Sequence, residues 1–265
     1  MTQSLHPAAQ QGFSQAAELY QQVRPDYPPQ VVNWLKDDLK LQPSSNVVDL
    51  GAGTGKFLPY LQQLGVQLTA VEPVAKMLAQ LQQQYPQVRA LAGSSQQIPL
   101  PGGSQDAIVC AQAFHWFADI GSLNEIYQVL KPQGYLGLVW NQRDVEVDWV
   151  KALAEQIAPL EGHTPRYHSG QWKAVFEHQF LFQLEKVRVF SQLHRGSVEQ
   201  VVSRRLLSTS FIAALPEAQQ QQLKAQFEAT VYQYTGKQPH DDIAFPYITY
   251  AYSFRKMGSA EKADN

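Results

Sequence analysis

Short apolar runs alternate with amphipathic segments along residues 46–140 of the chain. The runs contain few polar positions, which is typical of strands buried on both faces of a parallel sheet. The segments between them repeat apolar side chains at helical spacing, as Leu58, Leu61 and Leu64 do. Repeated strand–helix units of this kind predict an α/β fold, in which helices cover both faces of a mostly parallel sheet.

The boundaries of these elements follow from the apolar runs and from proline and glycine. Strands are predicted at 46–50, 67–72, 88–92, 105–111 and 135–140. Helices are predicted at 54–64, 74–84 and 123–130. Pro132 and Gly134 then predict a turn over residues 131–134, ahead of the fifth strand.

The segments on either side of this region follow other patterns. Residues 13–39 predict two helices that are separated at the proline-rich stretch 24–29. After the fifth strand, helices are predicted at 147–159, 198–207 and 216–234, strands at 185–193 and 245–254, and an irregular loop at 161–171. We expect the two late strands to join the far edge of the same sheet, and the other segments to form a cap over the ligand crevice.

The length of 265 residues fits one large domain with a cap. We expect an N-terminal helical arm or lid at 1–40 and a ligand-binding core at 41–145. The helical cap and the last sheet strands, at 146–256, would complete the same domain. A flexible tail is expected at 257–265.

Composition narrows the class of protein. The net charge of −2 provides no basic field for a nucleic acid. Cys110, the single cysteine, ends an apolar run and is predicted to be a small buried side chain. No apolar run is long enough to span a bilayer, and the polar first residues lack the pattern of a signal peptide. We therefore expect a cytoplasmic protein without membrane partners.

The first predicted strand runs into Asp49 and then into Gly51, Gly53 and Gly55. Glycines at such a place allow a tight turn and the close approach of a ligand to the backbone. The spacing is G-x-G-x-G, whereas the fingerprint of dinucleotide-binding proteins is G-x-G-x-x-G. A nicotinamide oxidoreductase is therefore only a residual alternative.

Other polar or aromatic residues follow the ends of later strands, where ligands bind in open parallel sheets. Glu72 ends the second strand and can accept hydrogen bonds from both hydroxyls of a ribose. The segment 93–96 follows the third strand and can meet an adenine edge. The aromatic loop 111–117 follows the fourth strand and contains His115 and Trp116.

Each of these residues also has a structural interpretation. Asp49 can stabilise the glycine loop, and Glu72 can lie beside a helix N-terminus. Ser94 or Ser95 can be helix caps. The pair of His115 and Trp116 can be a packed aromatic corner.

At this point the chain resembles the class I S-adenosylmethionine-dependent methyltransferases. The resemblance is to the broad small-molecule group (methyltransferase type 11) that includes trans-aconitate methyltransferase-like proteins. Its motifs lie at 47–55, 72–73, 93–100, 106–111 and 129–136, and together they cover residues 45–141. The arm around Tyr20 and 24–28, with the loop 114–117, resembles a subgroup of these enzymes.

The resemblance implies a Rossmann-like, doubly wound sheet of seven strands with an antiparallel edge strand. It implies that S-adenosyl-L-methionine is the cofactor, with Glu72 on the ribose and Ser94 near the adenine. The whole implied set is Asp49, Gly51, Ala52, Gly53, Gly55, Glu72, Pro73, Ser94, Ser95, Gln96, Ala111 and Gln112. The chain departs from the family at Ser94, where an acidic residue is frequent, and at the turn Pro132-Gln133-Gly134, where Pro-Gly-Gly is usual.

A sulfonium cofactor carries an activated methyl group, so the protein mainly aligns the reactants. A general base is needed only where the acceptor must lose a proton, and His115 and, more weakly, Tyr20 are the candidates. Arg24 can pair with a carboxylate of the cofactor or acceptor, and Trp116 can line the acceptor pocket. Helix-end packing of Tyr20 and a surface ion pair of Arg24 are the alternatives.

We therefore expect an S-adenosylmethionine-dependent methyltransferase that acts on a small molecule, with a carboxylate or hydroxyl as the methyl acceptor. The same fold acting on a protein or RNA is one alternative, and a non-catalytic cofactor-binding protein is another. No metal is expected, because His163, His168 and His178 lack the spacing of metal ligands. A monomer or a homodimer is expected. Arg204, Arg205, Ser208 and Ser210 are either polar groups of the cap or a solvated face.

Overall fold

The computed structural model of the chain describes residues 23–258. Seven strands form one sheet within them. They are β1 (Asn46–Leu50), β2 (Gln67–Glu72), β3 (Arg89–Ala92), β4 (Gln105–Ala111), β5 (Leu130–Arg143), β6 (Phe182–Ser197) and β7 (Asp242–Lys256). Their spatial order is β3-β2-β1-β4-β5-β7-β6. The strands β1 to β5 pair in parallel, and antiparallel strands complete the far edge. The prediction of a Rossmann-like, mostly parallel sheet of seven strands is confirmed.

The strand order has a direct consequence for ligand binding. From β1 the chain winds first to β2 and β3, and then returns to β4 on the other side of β1. The carboxyl ends of β1 and β4 therefore lie at the switch point of the sheet, where crevices form in open α/β folds.

The helices connect and flank these strands. They are α1 (Val31–Asp37), α2 (Leu58–Gln62), α3 (Ala75–Gln84), α4 (Ile120–Val129), α5 (Asp148–Ile157), α6 (Arg205–Leu207), α7 (Ser210–Ala213) and α8 (Glu217–Thr235). Short 3-10 helices lie at Phe114–Trp116, Ala158–Leu160 and Gln171–Phe176, and a π-helical turn lies at Glu199–Arg204.

The chain divides into two compact units, each of which is described by itself. The sheet unit comprises Tyr27–Trp140, Pro165–Phe190 and Thr249–Asn265. On one face of its sheet, Trp34 of α1 packs in a buried cluster with Val47 and Val109. On the other face, α4 buries apolar side chains against β4 and β5. Cys110 is fully buried in this second cluster, as predicted.

The helical unit comprises Met1–Asp26, Asn141–Thr164 and Ser191–Ile248. Its core is a separate cluster in which α5, α8 and residues 198–206 meet the first part of β7. Trp149 and Phe245 pack with ring centroids 5.0 Å apart. Each unit thus has its own buried apolar core.

Several predicted boundaries were wrong, for local reasons. The helix predicted at 54–64 is only α2, because three glycines with positive φ and a series of turns precede Leu58. The turn predicted at 131–134 is part of β5, where Gln133 has a φ of 60° and the pairing with β4 shifts register. Met257, which was assigned to the predicted tail, is buried and donates its N–H to the carbonyl of Leu181. Residues 259–265 of that predicted tail lie outside the described residues.

Candidate active site

The glycine loop after β1 is built around three residues with left-handed backbone. Gly51, Gly53 and Gly55 have φ values of 72°, 58° and 88°. A Cβ on Gly51 would lie 2.8 Å from the Cβ of Ala113, and one on Gly55 would lie 2.7 Å from the Tyr85 ring. Both glycines are therefore required for packing.

Gly53 differs from Gly51 and Gly55 in the space around it. The nearest atom to a Cβ placed there would be the Met77 sulfur, at 3.9 Å. Its backbone is therefore approachable, because no side chain fills the space that a Cβ would occupy. A glycine in this position allows a ligand to lie against the backbone.

Asp49, in β1 just before the loop, is fully buried. Neither of its carboxylate oxygens has a hydrogen-bond partner among the residues that the structure describes. Burial, and secondarily the charge of Glu72, raises the pKa of Asp49 to about 8. A buried carboxyl without a partner is costly, so this position suits a ligand that brings a cationic or donor group.

Glu72 ends β2 and is also buried. Its Oε2 accepts the backbone N–H of Gly53 at 2.9 Å, and its Oε1 accepts that of Val74 at 2.8 Å. Burial raises the pKa of Glu72, and the two N–H donors act in the opposite direction. A carboxylate offers about four acceptor positions, so each oxygen can accept a further hydrogen bond from a ligand hydroxyl.

The loop after β3 is tied to the N-terminus of α4. The Ser122 hydroxyl donates to the Ser95 hydroxyl at 2.9 Å, and the Gln96 amide donates to Asp119 at 3.2 Å. Ser94 is half-buried and faces an opening of about 580 Å³ that is lined by residues 92–94 and 97–101. Ser95 and Gln96 therefore have structural partners, whereas Ser94 borders open space.

The loop after β4 starts with backbone strain. Gln112 has a φ of 57°, which is uncommon for a residue with a side chain, and its N–H donates to the Val139 carbonyl at 2.9 Å. Next to it, Ala113 lies against Gly51 of the glycine loop. The loops after β1 and β4 thus form one connected edge at the switch point.

His115 lies in the 3-10 helix after this strained residue, and its ring is oriented by Trp140. The indole N–H of Trp140 donates to His115 Nδ1 at 3.0 Å. Nδ1 must therefore be unprotonated, so a neutral His115 carries its proton on Nε2. In this state His115 is a hydrogen-bond donor at Nε2 rather than a base.

Comparison with known proteins shows to which family the chain belongs. A model of the methyltransferase domain matches residues 48–138. The chain is 34% identical over 245 residues to an uncharacterized methyltransferase-like protein of Schizosaccharomyces pombe, a match that covers 89% of this chain and 92% of the relative. The chain belongs to the S-adenosylmethionine-dependent methyltransferases.

Two further similarities agree with this assignment. The methyltransferase is 33% identical over 91 residues to a malonyl-[acyl-carrier protein] O-methyltransferase of Pectobacterium atrosepticum, covering 34% of this chain and 36% of the relative. It shares its fold with Haemonchus contortus phosphoethanolamine N-methyltransferase 2, solved with phosphomonomethylethanolamine and S-adenosylhomocysteine. That match has a TM-score of 0.56 and 13% identity, and it covers 96% of this chain and 60% of the other.

S-adenosylmethionine is the cofactor of this methyltransferase. The residues present fit it chemically. The buried Asp49 carboxyl suits a positively charged ligand, Glu72 has acceptor positions left for hydroxyls, and Gly53 leaves its backbone approachable.

A cavity of about 260 Å³ in the methyltransferase adjoins His115. It is lined by His115, Trp116, Phe117, Ala118, Asp119, Pro165, Arg166, Ser169, Gln171 and Trp172. Sequence reasoning anticipated His115 and Trp116 here, but it missed Arg166, Trp172 and the Trp140 side chain that orients His115. The sequence around Arg166 and Trp172 has no periodic pattern. Such a segment gives no basis for predicting what its side chains contact.

The other two predicted acceptor-site residues are Tyr20 and Arg24. Tyr20 falls outside the described residues. Arg24 belongs to the helical unit, where its Nη2 donates to the Ser208 carbonyl at 3.2 Å. Between residues 23 and 258, no three His, Cys, Asp or Glu side chains are grouped so that they could hold a metal ion. No helix in that part of the chain is long and apolar enough to cross a membrane.

Proposed function

We propose that this methyltransferase transfers a methyl group to an oxygen of a small-molecule acceptor, and that the acceptor oxygen belongs to a carboxylate rather than to a hydroxyl. The observation that carries this proposal is the hydrogen bond from Trp140 to His115 Nδ1. A hydroxyl acceptor must lose a proton, and His115 in this state cannot take one. A carboxylate is ionised at neutral pH and needs no base.

The cavity beside His115 supports a small acceptor. Its volume of about 260 Å³ is at the small end of ligand pockets, and Arg166 on its wall suits an anion. The Pectobacterium relative is named as an O-methyltransferase, which supports oxygen as the acceptor atom.

The cofactor site of the proposal lies at the carboxyl ends of β1, β2, β3 and β4. We assign Asp49 and the glycine loop to the amino-acid portion of the cofactor, Glu72 to the ribose hydroxyls, and Pro73 with Ser94 to the adenine. Ala111 and Gln112 would contact the methionine end. Ser95 and Gln96 are proposed to support Ser94 through their bonds to the N-terminus of α4.

When bound, S-adenosylmethionine supplies a methyl group that is already activated on a sulfonium. The chain's own residues then have to position the acceptor oxygen in line with that methyl group and exclude water. His115 would donate its Nε2–H to the acceptor carboxylate and hold it in place. Trp116 and Trp172 would supply the apolar walls of the cavity. In this arrangement alignment, and not proton transfer, is the main catalytic contribution.

An acceptor screen with S-adenosylmethionine carrying a radiolabelled methyl group tests the proposal. The arms are small carboxylic acids, the alcohols of the same carbon skeletons, a protein extract and total RNA. We expect label in base-labile esters of the acids and none in the other arms. Label in the alcohols alone would contradict the carboxylate assignment, and label in protein or RNA would contradict the small-molecule assignment. Cofactor binding without label in any arm would favour a non-catalytic binder.

A further inference from the structure

The helical unit contains a buried arginine, Arg205, and a half-buried one, Arg143. Arg205, in α6, is only 7% exposed, and its Nε and Nη1 have no hydrogen-bond partner among the described residues. Arg143, at the end of β5, lies beside the first part of β7, because the N–H of Asp144 donates to the Pro246 carbonyl at 3.1 Å. Burial, and to a smaller extent the charge of Arg205, lowers the pKa of Arg143. The Arg205 guanidinium is thus held in an environment that penalises charge.

Two buried hydroxyls accompany these arginines. Tyr247 is 1% exposed, and its hydroxyl has no hydrogen-bond partner within residues 23–258. The Ser210 hydroxyl, five residues after Arg205, is likewise buried and unpartnered in that part of the chain. Leu206 and Phe211, which follow Arg205 and Ser210 in the chain, pack in or against the apolar cluster that contains Tyr247. Buried polar groups normally have partners, so three unsatisfied side chains around this cluster indicate a ligand-binding position.

The charges near Arg143 indicate what kind of ligand fits. Arg143 is influenced by one further cation, Arg205, and by one carboxylate, Glu161. These three groups carry a net charge of +1, which a monoanion would neutralise. A carboxylate accepts the forked N–H groups of arginine in a bidentate geometry, whereas a phosphate would add up to two negative charges.

We propose that Arg205, Arg143, Tyr247 and Ser210 form a binding site for a carboxylate group in the helical unit. This proposal does not rest on the proposed function, which places the acceptor carboxylate beside His115 in the sheet unit. Arg24 lies beside the same segment, since it donates to the carbonyl of Ser208, but that contact already engages it.

The first test measures the stability of the ligand-free protein. Arg205→Met keeps the length of the side chain and removes the buried charge, and Arg204→Met changes the exposed neighbour as a matched control. We expect Arg205→Met to raise the melting temperature, because an unsatisfied buried charge is lost. A fall in melting temperature, relative to Arg204→Met, would show that Arg205 has a structural role and would overturn the proposal.

The second test measures binding by calorimetry, with S-adenosylhomocysteine present. Succinate is the probe, inorganic phosphate is the competing anion and succinamide is the uncharged analogue. We expect succinate to bind the unmodified chain, and Arg205→Met to weaken that binding by roughly tenfold or more. Arg204→Met should have no effect, and Ser210→Ala, which removes only one hydroxyl, should weaken binding less.

The outcomes separate this site from the proposed function. Equal succinate binding by Arg205→Met and the unmodified chain would overturn the site, as would absence of succinate binding while S-adenosylhomocysteine still binds. Tighter binding of phosphate than of succinate would overturn the carboxylate assignment. If the unmodified chain did not bind S-adenosylhomocysteine, that result would instead contradict the cofactor assignment. Succinate binding with no methyl transfer to any carboxylic acid would leave the site standing and contradict the proposed function.

Discussion

The Glu72 carboxylate accepts the backbone N–H of Gly53 at 2.9 Å, so the acidic residue at the end of β2 holds the glycine loop that follows β1. The same carboxylate also accepts the N–H of Val74. Because both oxygens are oriented by backbone donors, their remaining acceptor positions have fixed directions before any ligand arrives. Such preorganisation reduces the cost of ordering the site on binding.

Glu72→Gln should weaken the binding of S-adenosylhomocysteine by roughly tenfold to a hundredfold, because a charge-assisted hydrogen bond contributes about 1.5–3 kcal/mol. Calorimetric titration measures the change. Glu125→Gln is the control, since Glu125 also accepts a backbone N–H, that of Ile98 at 2.8 Å, but belongs to α4. Equal weakening by both variants would remove Glu72 from the ribose role.

Gly53→Ala should lower cofactor affinity more than its effect on stability explains. Gly103→Ala is the matched control, because Gly103 has a similar φ of 64° and no atom within 4 Å of an added Cβ. Both variants should lose about 1 kcal/mol of unfolding free energy from the left-handed backbone. Only Gly53→Ala should weaken S-adenosylhomocysteine binding. If the two variants bind equally well, the ligand does not lie against Gly53.

Cofactor binding should be linked to the ionisation of Asp49. The pKa of Asp49 is raised to about 8 by burial and by Glu72, so the carboxyl is protonated in the free protein at neutral pH. A cationic ligand group favours the ionised form, so binding should release a proton, and affinity should fall as the pH drops below about 8. Calorimetry in buffers with different ionisation enthalpies measures this release. Asp49→Asn should abolish it, and an unchanged proton count in that variant would assign the proton to another group.

The ionisation of Asp49 should also affect the stability of the ligand-free protein. Its folded-state pKa lies above the ordinary value of 3.8, so its contribution to stability is present at low pH and is lost as the pH rises towards about 8. Relative to the unmodified chain, Asp49→Asn should therefore gain stability on going from mildly acidic to mildly alkaline pH, by roughly 1 kcal/mol per pH unit at most. Urea unfolding at several pH values measures this. A pH-independent difference between the two proteins would contradict it.

Trp140→Phe should change the tautomer of His115. The substitution removes the N–H that occupies Nδ1 while it keeps an aromatic ring in the buried position. Long-range nitrogen–proton NMR spectra should show a single Nε2-protonated form of His115 in the unmodified chain and a mixture in the variant. Turnover should fall roughly tenfold, with cofactor affinity unchanged.

Trp149→Phe, in the core of the helical unit, is the control for loss of indole volume. It should leave the His115 spectrum unchanged. A different outcome is that Trp140→Phe raises turnover on alcohols and lowers turnover on acids. That result would show that His115, once freed from Trp140, acts as the base that a hydroxyl acceptor needs.

Local sequence patterns predicted the sheet well. The bounds of β1, β2 and β4 agree with the predicted runs, because each strand is a largely buried, mostly apolar run. The bounds of β5 and α2 were not predictable from the same signals. The register shift in β5 and the turns before Leu58 depend on pairing with β4 and on packing of the loop against Tyr85, both of which are tertiary effects.

The candidate site was predictable only in part. Asp49, Glu72 and the glycines could be identified because strand ends converge at the switch point of a parallel sheet. The role of His115 could not, because it depends on Trp140, which is 25 residues away and donates to a specific ring nitrogen. The buried state of Arg205 was equally hidden, since the adjacent Arg204 is exposed and the sequence around the two arginines does not distinguish them.

Calorimetric titration of S-adenosylhomocysteine into the unmodified chain, with NAD titrated in parallel, tests most directly that the edge around Asp49, Gly53 and Glu72 binds the adenosyl and amino-acid portions of the cofactor. We expect a micromolar dissociation constant for S-adenosylhomocysteine and no binding of NAD. Binding of NAD without binding of S-adenosylhomocysteine would contradict the assignment of the site.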